Sequence, residues 1–527
     1  MKLASRSHKQ RTDSSASSRT ALAAGLCLII LLFAFSSGYN APGDPMDEGM
    51  ALVYPELIQH GAVPYRDFES VYGPGNWWFL SGVYAVFGTN VYVERTVGLF
   101  YRIVCLIAIF ALTRRWGVTV AAACMLLAGS LLINTGIVAL SWWGAMACAL
   151  TSLALLAAGA TPWRCVGAGA VAGLAILFRV DVAPALCLAA LPILWKLNWS
   201  HRLLLSGAAA VTAITPLLWV AYLAGVGPVL NDLFFLPVLH SSPARNLPFS
   251  GVEFRLLLFF AVSLVAVVLN IAAGIITMRM FDDSRTPPVL LAVALFAAGI
   301  THQPYHRLDF IHLLFVAFLT VSFLPVSFLI FASAIRGQLL RQPFAGALCA
   351  GAAAVLFLGT PSIRTGTIIA LAHPLGTTSR SSFLVKRNGR DFPLLSPSSA
   401  SMVDQMLEKL ELLSKPGERL FVGPADLRRT NYSDTFIYHL MPRLRPASRF
   451  IEMNPFSANA PGSRLSKDLE QADWLVLNRA WDDWPEQNRS RENGPDEPLR
   501  VVRNDFILVE EYGSFGLFRR KGRVGAP

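Results

Sequence analysis

The sequence predicts a polytopic α-helical membrane protein of about eleven transmembrane helices, with a C-terminal soluble α/β domain. Three observations carry that prediction. Hydrophobic residues make up 54% of the 527-residue chain and charged residues only 15%, where a soluble globular domain carries about 25% charged. The charges are segregated, with 35 in residues 1–361 and 44 in the shorter stretch 362–527. Apolar runs near the ~20 residues needed to cross a bilayer recur through the first part and are missing from the second.

Residues 1–19 are polar and basic, with Lys2, Arg6, Lys9, Arg11 and Arg19. The apolar run Ala21–Phe35 follows. A cleaved signal peptide would begin in the same way. Here no small-residue cleavage site precedes the polar loop, and many apolar segments follow, so the run is read as a retained first span. Further spans are expected near 96–113, 118–134, 139–160, 165–179, 183–197, 203–225, 256–278, 288–303, 309–331 and 343–361, closing a membrane domain over 20–361. With the N-terminus inside, the inner loops hold Arg114, Arg115, Arg164, Lys196, Arg202, Arg279, Arg285, Arg336 and Arg341. Together with the N-terminal cations these are 14 of the 21 Lys and Arg of residues 1–361, as the positive-inside rule requires. The net charge of +11 is then a topology signal, and nucleic acid is not an expected partner. An odd number of spans places residues 362–527 outside.

The seven cysteines all lie in apolar stretches, without CxxC or Cys/His zinc spacing, which excludes a disulfide framework in the tail. The tail alternates strand and helix patterns, which suggests a layered α/β domain. Ser399–Leu413 has helical spacing, with shorter helices near 434–441 and 465–471. Strands are expected at Arg419–Val422, Arg449–Glu452, Asp473–Leu477, Phe506–Glu510 and Phe515–Arg519, with Tyr512-Gly513 turning the last hairpin. No glycine-rich phosphate fingerprint occurs.

Two outer loops are long, 38–95 and Val226–Arg255, so binding surface is expected on the outer face. The first loop is dense in carboxylates, with Asp44, Asp47, Glu48, Glu56, Asp67 and Glu69, in a region otherwise nearly without them. Asp47 and Glu48, just past the first span, can serve as a general base or bind a cation. Acidic residues in the first turn of a helix give the same pattern through the macrodipole. Trp77 and Trp78 read as interfacial anchors. Two further clusters stand at outer ends of spans. One is Arg179 with Asp181; the other is His302-Gln303-Pro304-Tyr305-His306-Arg307-Leu308-Asp309, followed by His312. Ionisable groups at membrane depth are costly and mark function by default. Arg179 and Arg307 can grip a phosphate, although an Arg–Asp pair can also satisfy only itself. The histidines also have metal-like spacing, but Pro304 interrupts it; no cofactor is called for, and a divalent cation is left open. His240 and Arg245 of the second loop can join this site, or lie in a plain solvated loop.

An Asp-Glu pair after the first span, a long first outer loop, many spans and a soluble tail outside resemble the GT-C glycosyltransferases. The chain looks most like bacterial relatives of the protein O-mannosyltransferase and aminoarabinose transferase group. Tyr305-His306-Arg307-Leu308-Asp309-Phe310-Ile311-His312 resembles an Arg-x-Asp-x-x-His stretch of some bacterial members, while Tyr72-Gly73-Pro74-Gly75 replaces the family's His-Pro-Pro. The resemblance implies transfer of a sugar from a polyprenyl phosphate to a lipid, glycan or protein acceptor, in cell-envelope assembly at a bacterial inner membrane. It implies catalysis by Asp47 and Glu48. The expected substrate-binding residues are Asp44, Arg66, Asp67, Arg179, Asp181, His240, Arg245, His306, Arg307 and Asp309. A transporter or flippase of a lipid-linked or anionic substrate also explains many spans and charges at depth, but no internal repeat of the transporter kind is evident. A non-catalytic assembly or sensor protein, with the tail as its binding module, is a further alternative.

Overall fold

The computed structural model of the chain describes residues 2–280, 288–336, 360–375, 382–483 and 485–522. In chain order the membrane region runs through α1 (Lys2–Phe35), α2 (Asp47–Gln59), α3 (Pro74–Phe87), α4 (Val91–Thr113), α5 (Val118–Leu132), α6 (Ser141–Ala157), α7 (Pro162–Phe178) and α8 (Ala183–Lys196). It continues through α9 (Trp199–Ala224), α10 (Val226–Leu230), a π-helical stretch Asn231–Ser241, α11 (Ser242–Arg245), α12 (Phe254–Met280), α13 (Val289–Ile300), α14 (His302–His306), α15 (Phe310–Thr320) and α16 (Leu324–Arg336).

Among the described residues, six helices are long and apolar enough to cross a membrane: Ser18–Asn40, Val91–Trp116, Val118–Thr135, Trp199–Ala224, Phe254–Met280 and Phe310–Ala334. The chain is a multi-pass membrane protein. Three further apolar helices, Ser141–Ala157, Pro162–Phe178 and Val226–His240, are shorter. Thr161 caps the start of α7, and Arg179 ends it in extended backbone. The expected span at 343–361 lies almost wholly outside the described residues.

Small residues let helices approach closely. Gly169 and Gly173 form a G-x-x-x-G face on α7, where a Cβ would sit 2.1 Å from the Leu205 carbonyl oxygen of α9 and 2.5 Å from that of Ala209. Without a hydrophobic driving force in lipid, such close packing is a main source of helix association.

The long first loop, residues 38–95, is largely helical. Asp44 caps α2 by accepting from the backbone N–H groups of Met46 (3.0 Å) and Asp47 (2.7 Å). Glu48 is fully buried and meets Arg95 of α4 in a fork, at 2.6 and 2.9 Å. The remaining arm of Arg95 donates to the carbonyls of Gly38, Tyr39 and Ala41. This pair therefore locks α2 to α4 and to the end of the first span. Asn76 of α3 donates to the Ala139 carbonyl (2.9 Å) and accepts from Tyr101 (2.9 Å). Arg102 holds the Val138 carbonyl (3.0 Å). These bonds fix the non-helical turn before α6, one wall of the site described below.

The tail opens with a hairpin, β1 (Phe383–Arg387) and β2 (Arg390–Leu394), turned by Asn388-Gly389 with φ of 52° and 73°. A five-stranded sheet follows, from β3 (Arg419–Pro424), β4 (Arg445–Pro446), β5 (Trp474–Asn478), β6 (Phe506–Tyr512) and β7 (Phe515–Arg520). Its order is β4-β3-β5-β7-β6. The β3–β4 and β3–β5 pairs are parallel, and the pairs made by β7 are antiparallel. The expected helix over 399–413 is Pro397–Leu413, with Val403, Met406, Leu407 and Leu410 buried. Four of the five expected strands are present. Arg449–Glu452 is not one, because its groups hold the first outer region instead: the Arg449 carbonyl accepts from Glu69 N–H, and Glu452 accepts from Tyr54.

The tail is seated on that first outer region. Gly43 N–H donates to the Pro393 carbonyl (2.7 Å), and the Thr435 hydroxyl contacts the carbonyls of Pro45 and Met46. Tyr432 donates to Asp44 (2.6 Å), and Arg390 forks onto Glu56.

Candidate active site

A cavity of about 480 Å³ opens where α2, the turn before α6, the end of α7, the π-helical segment with α11, and α14–α15 converge. It is lined mostly by apolar groups, among them Met50, Trp77, Leu140, Trp142, Val238, Ile311 and Phe315. Its polar lining comes from Asp47, Tyr72, Ser141, Arg179, Asp181, Ser242, Arg245, His302, Gln303, His306, Arg307 and His312. A mainly apolar cleft with a few convergent polar groups is the usual form of a ligand site.

Asp47 stands in the first turn of α2. Its carboxylate makes no hydrogen bond to any described residue. Burial and the neighbouring Asp44 push its pKa up to about 7, against the pull of Arg245, Arg307 and Arg179. A carboxyl group so poised can accept a proton near neutral pH.

The three arginines differ in how they are held. Arg179 forks onto Asp181 at 2.8 and 2.6 Å, and its guanidinium lies over the rings of Tyr72 (5.0 Å) and Trp142 (5.3 Å). Gln303 donates to the same Asp181 at 2.7 Å. Arg307 is gripped by Asp309 (2.9 Å) and by Glu486 of the tail. Burial opposes ionisation of Asp309, but the hydrogen bond and charge of His312 hold its pKa down at about 2. Arg245 has no carboxylate partner among the described residues, and its Nε and Nη2 are buried without a hydrogen-bond acceptor. The Ser141 hydroxyl and the Trp142 Nε1 of the same lining are buried and unpaired as well. An unmet buried donor costs about 1–3 kcal/mol, so these donors call for acceptors from water or a ligand in the cavity.

Of the residues singled out from the sequence, Asp47, Arg179, Asp181, Arg245, His306 and Arg307 meet in this cavity. Asp309 stands one layer behind, on Arg307 and His312. Glu48 is turned away into its buried pair with Arg95, because the next position of the helix points about 100° round from Asp47. Asp44 is spent on the cap of α2 and on Tyr432. His240 is exposed and outside the lining. Arg66 and Asp67 pair with each other on the surface and line a different cleft. Trp77 is buried in the cavity wall, its indole donating to Ser70 at 3.2 Å, and is not an interfacial anchor. His302, His306 and His312 all line the cavity, but among the described residues no three His, Cys, Asp or Glu side chains are placed to hold a metal ion. Sequence reasoning missed Ser141 and Trp142. Their only signal was a polar residue beside paired tryptophans at the start of an apolar span.

The fold and this site define a multi-pass membrane protein with a charged cavity beneath a seated soluble domain. No family model matches the chain, and no curated protein matches it. Among solved structures it is similar to ArnT from Cupriavidus metallidurans, both in the apo state and bound to undecaprenyl phosphate. In each case the TM-score is 0.48 and the identity 15%, over 97% of this chain and 100% of that one. It is also similar to the arabinofuranosyltransferase AftD from Mycobacteria, with a TM-score of 0.44 and 15% identity, over 96% of this chain and 40% of that one.

Proposed function

We propose that the protein is a membrane glycosyltransferase that takes a sugar from a polyprenyl-phosphate donor and passes it to an acceptor on the extracytoplasmic face. The observation that carries this reading is the presence, in one cavity, of an unbonded carboxylate at Asp47 and of Arg245, whose Nε and Nη2 are buried and unpaired. Glycosyl transfer from a lipid phosphate needs both. The leaving group is a phosphate, whose growing charge is stabilised by a fixed cation in a water-poor site. The incoming hydroxyl or amine must lose a proton, and a carboxylate titrating near 7 can take it.

In this reading Asp47 is the base, and the acceptor attacks the anomeric carbon from the face opposite the phosphate, with inversion. Arg245 is the main phosphate ligand, because its donors are unspent. Arg179 and Arg307 are already neutralised by carboxylates; they add field and hold the walls. Ser141 and Trp142 offer donors to sugar hydroxyls or phosphate oxygens. The apolar lining around Val238, Ile311 and Phe315 suits the start of a prenyl chain.

The test is sugar transfer in membranes, with a polyprenyl-phosphate-linked donor pool and labelled sugar. Asp47→Asn is expected to lower the rate by about 10²–10⁴-fold at equal expression, the usual worth of a general base. Full transfer by this variant would refute the assignment.

A further inference from the structure

A second cleft, of about 340 Å³, lies away from the membrane-boundary cavity, between Arg66 of the first outer region and the β4 edge of the tail sheet. Five arginines line it: Arg66, Arg419, Arg445, Arg449 and Arg464. Three are balanced. Arg66 forks onto Asp67, Arg464 pairs with Asp468, and Arg449 pairs with Asp232 at 2.6 Å. Arg449 still has a buried Nε with no acceptor. Arg419 is met only by the neutral side chain of Gln471. Arg445 has no side-chain partner among the described residues.

Arg419 and Arg445 are direct register partners across the parallel β3–β4 pair. Neighbours in register share a face, and like charges placed so are destabilising. Both are solvent-exposed, as charges that keep other strands off a sheet edge are, yet they also line a concave surface with three more guanidiniums.

We infer that this cleft is a binding site for a phosphate-bearing ligand, with Arg419 and Arg445 as its principal contacts. Guanidinium forks match phosphate oxygens in geometry and charge, and a bound dianion would turn the repulsion between the two strands into a shared attraction. The site does not depend on the reaction assigned to the membrane-boundary cavity. The phosphate can belong to a lipid headgroup or to a soluble phosphorylated sugar.

The test uses the full-length chain in nanodiscs, in an Arg245→Gln background so that phosphate binding in the other cavity is removed from the readout. One arm adds glucose 1-phosphate to phosphatidylcholine discs; the other replaces part of the phosphatidylcholine with phosphatidic acid. In at least one arm the melting temperature should rise. Adding Arg419→Gln/Arg445→Gln should abolish that rise or weaken apparent binding by about ten-fold or more, as expected for the loss of two charge-assisted contacts. A rise confined to the sugar phosphate identifies a soluble ligand, and one confined to phosphatidic acid identifies a headgroup. Without ligand, the double variant should melt at the same temperature or higher, since it relieves a like-charge pair. Equal responses with and without the two arginines, no response in either arm, or a lower ligand-free melting temperature in the double variant would each overturn the proposal.

Discussion

Glu48 and Asp47 are neighbours in sequence, and the structure separates their jobs in a way that can be measured. Glu48 is 0% exposed and Arg95 2% exposed in their ion pair. Removing one member of a buried pair costs about 3–5 kcal/mol, because the other charge is left uncompensated. Glu48→Gln should fall at the lower end of that range. Its amide oxygen can still accept one N–H of Arg95, and the arginine keeps the carbonyls of Gly38, Tyr39 and Ala41. Glu48→Ala, which leaves a void as well, should fall at the upper end. The assay is denaturant unfolding of purified protein in detergent, beside transfer activity per folded molecule. A large stability loss is expected, with the activity of the folded fraction mostly retained. A Glu48→Gln protein of unchanged stability and abolished transfer would place Glu48 in the chemistry and refute the separation.

Three further outcomes follow from the same geometry. Asp47 titrates near 7 and works as a base only when ionised, so transfer should climb with pH below about 7 and level off above it; a flat profile between about pH 5.5 and 8.5 would contradict the role. Glu69 and Glu452, buried where the tail meets the first outer region and both bonded by Asn454, are pushed up to about 7 and about 8, chiefly by burial. The folded state then binds more protons than the unfolded one above the ordinary carboxylate range, so stability should fall as pH rises through 7 to 8. Urea titrations at pH 5.5 and 8.5 should show that fall, and Glu452→Gln should remove part of it. Gly73→Ala would put a Cβ 2.1 Å from the Leu177 carbonyl oxygen, forcing α3 from the end of α7 that carries Arg179; both thermal stability and transfer should drop, and unchanged values would show that the contact yields easily.

Much of this architecture was legible because its signals are local. Apolar runs marked the helices of the membrane region, and charge density marked the tail. The spacing of Val403, Met406, Leu407 and Leu410 gave the Pro397–Leu413 helix. The Asn388-Gly389 hairpin went unread although its turn signal is strong, because Lys386, Arg387, Arg390 and Asp391 hide the alternation around it. Arg449–Glu452 looked like a strand by composition, but long-range partners claimed it, Tyr54 of α2 and Asp232 of the π-helical segment.

The site was legible to the same extent. Ionisable residues at span ends pointed to Asp47, Arg179 and Arg307 because charge there is expensive, while Arg245 was read only as a loop residue able to join them. That Arg179 is spent on Asp181 is a pairing the spacing allowed, whereas the hold of Glu486 on Arg307, across 179 residues, is one no spacing argument reaches. Sequence therefore ranked Arg179 and Arg307 as the phosphate ligands, where the geometry favours Arg245. The alternative reading of Asp47 and Glu48 as the acidic first turn of a helix is the one observed, but the partner that claims Glu48, Arg95, lies 47 residues on and leaves no local signal.

The central claim is that the cavity around Asp47 and Arg245 performs transfer and is not a passage. The most direct measurement reconstitutes the protein in proteoliposomes holding a polyprenyl-phosphate-linked sugar and follows labelled sugar by mass and by location. The account predicts a new glycosylated product with release of polyprenyl phosphate, lost in Asp47→Asn and strongly reduced in Arg245→Gln. Movement of the intact donor across the bilayer with no product formed, insensitive to Asp47→Asn, would contradict it.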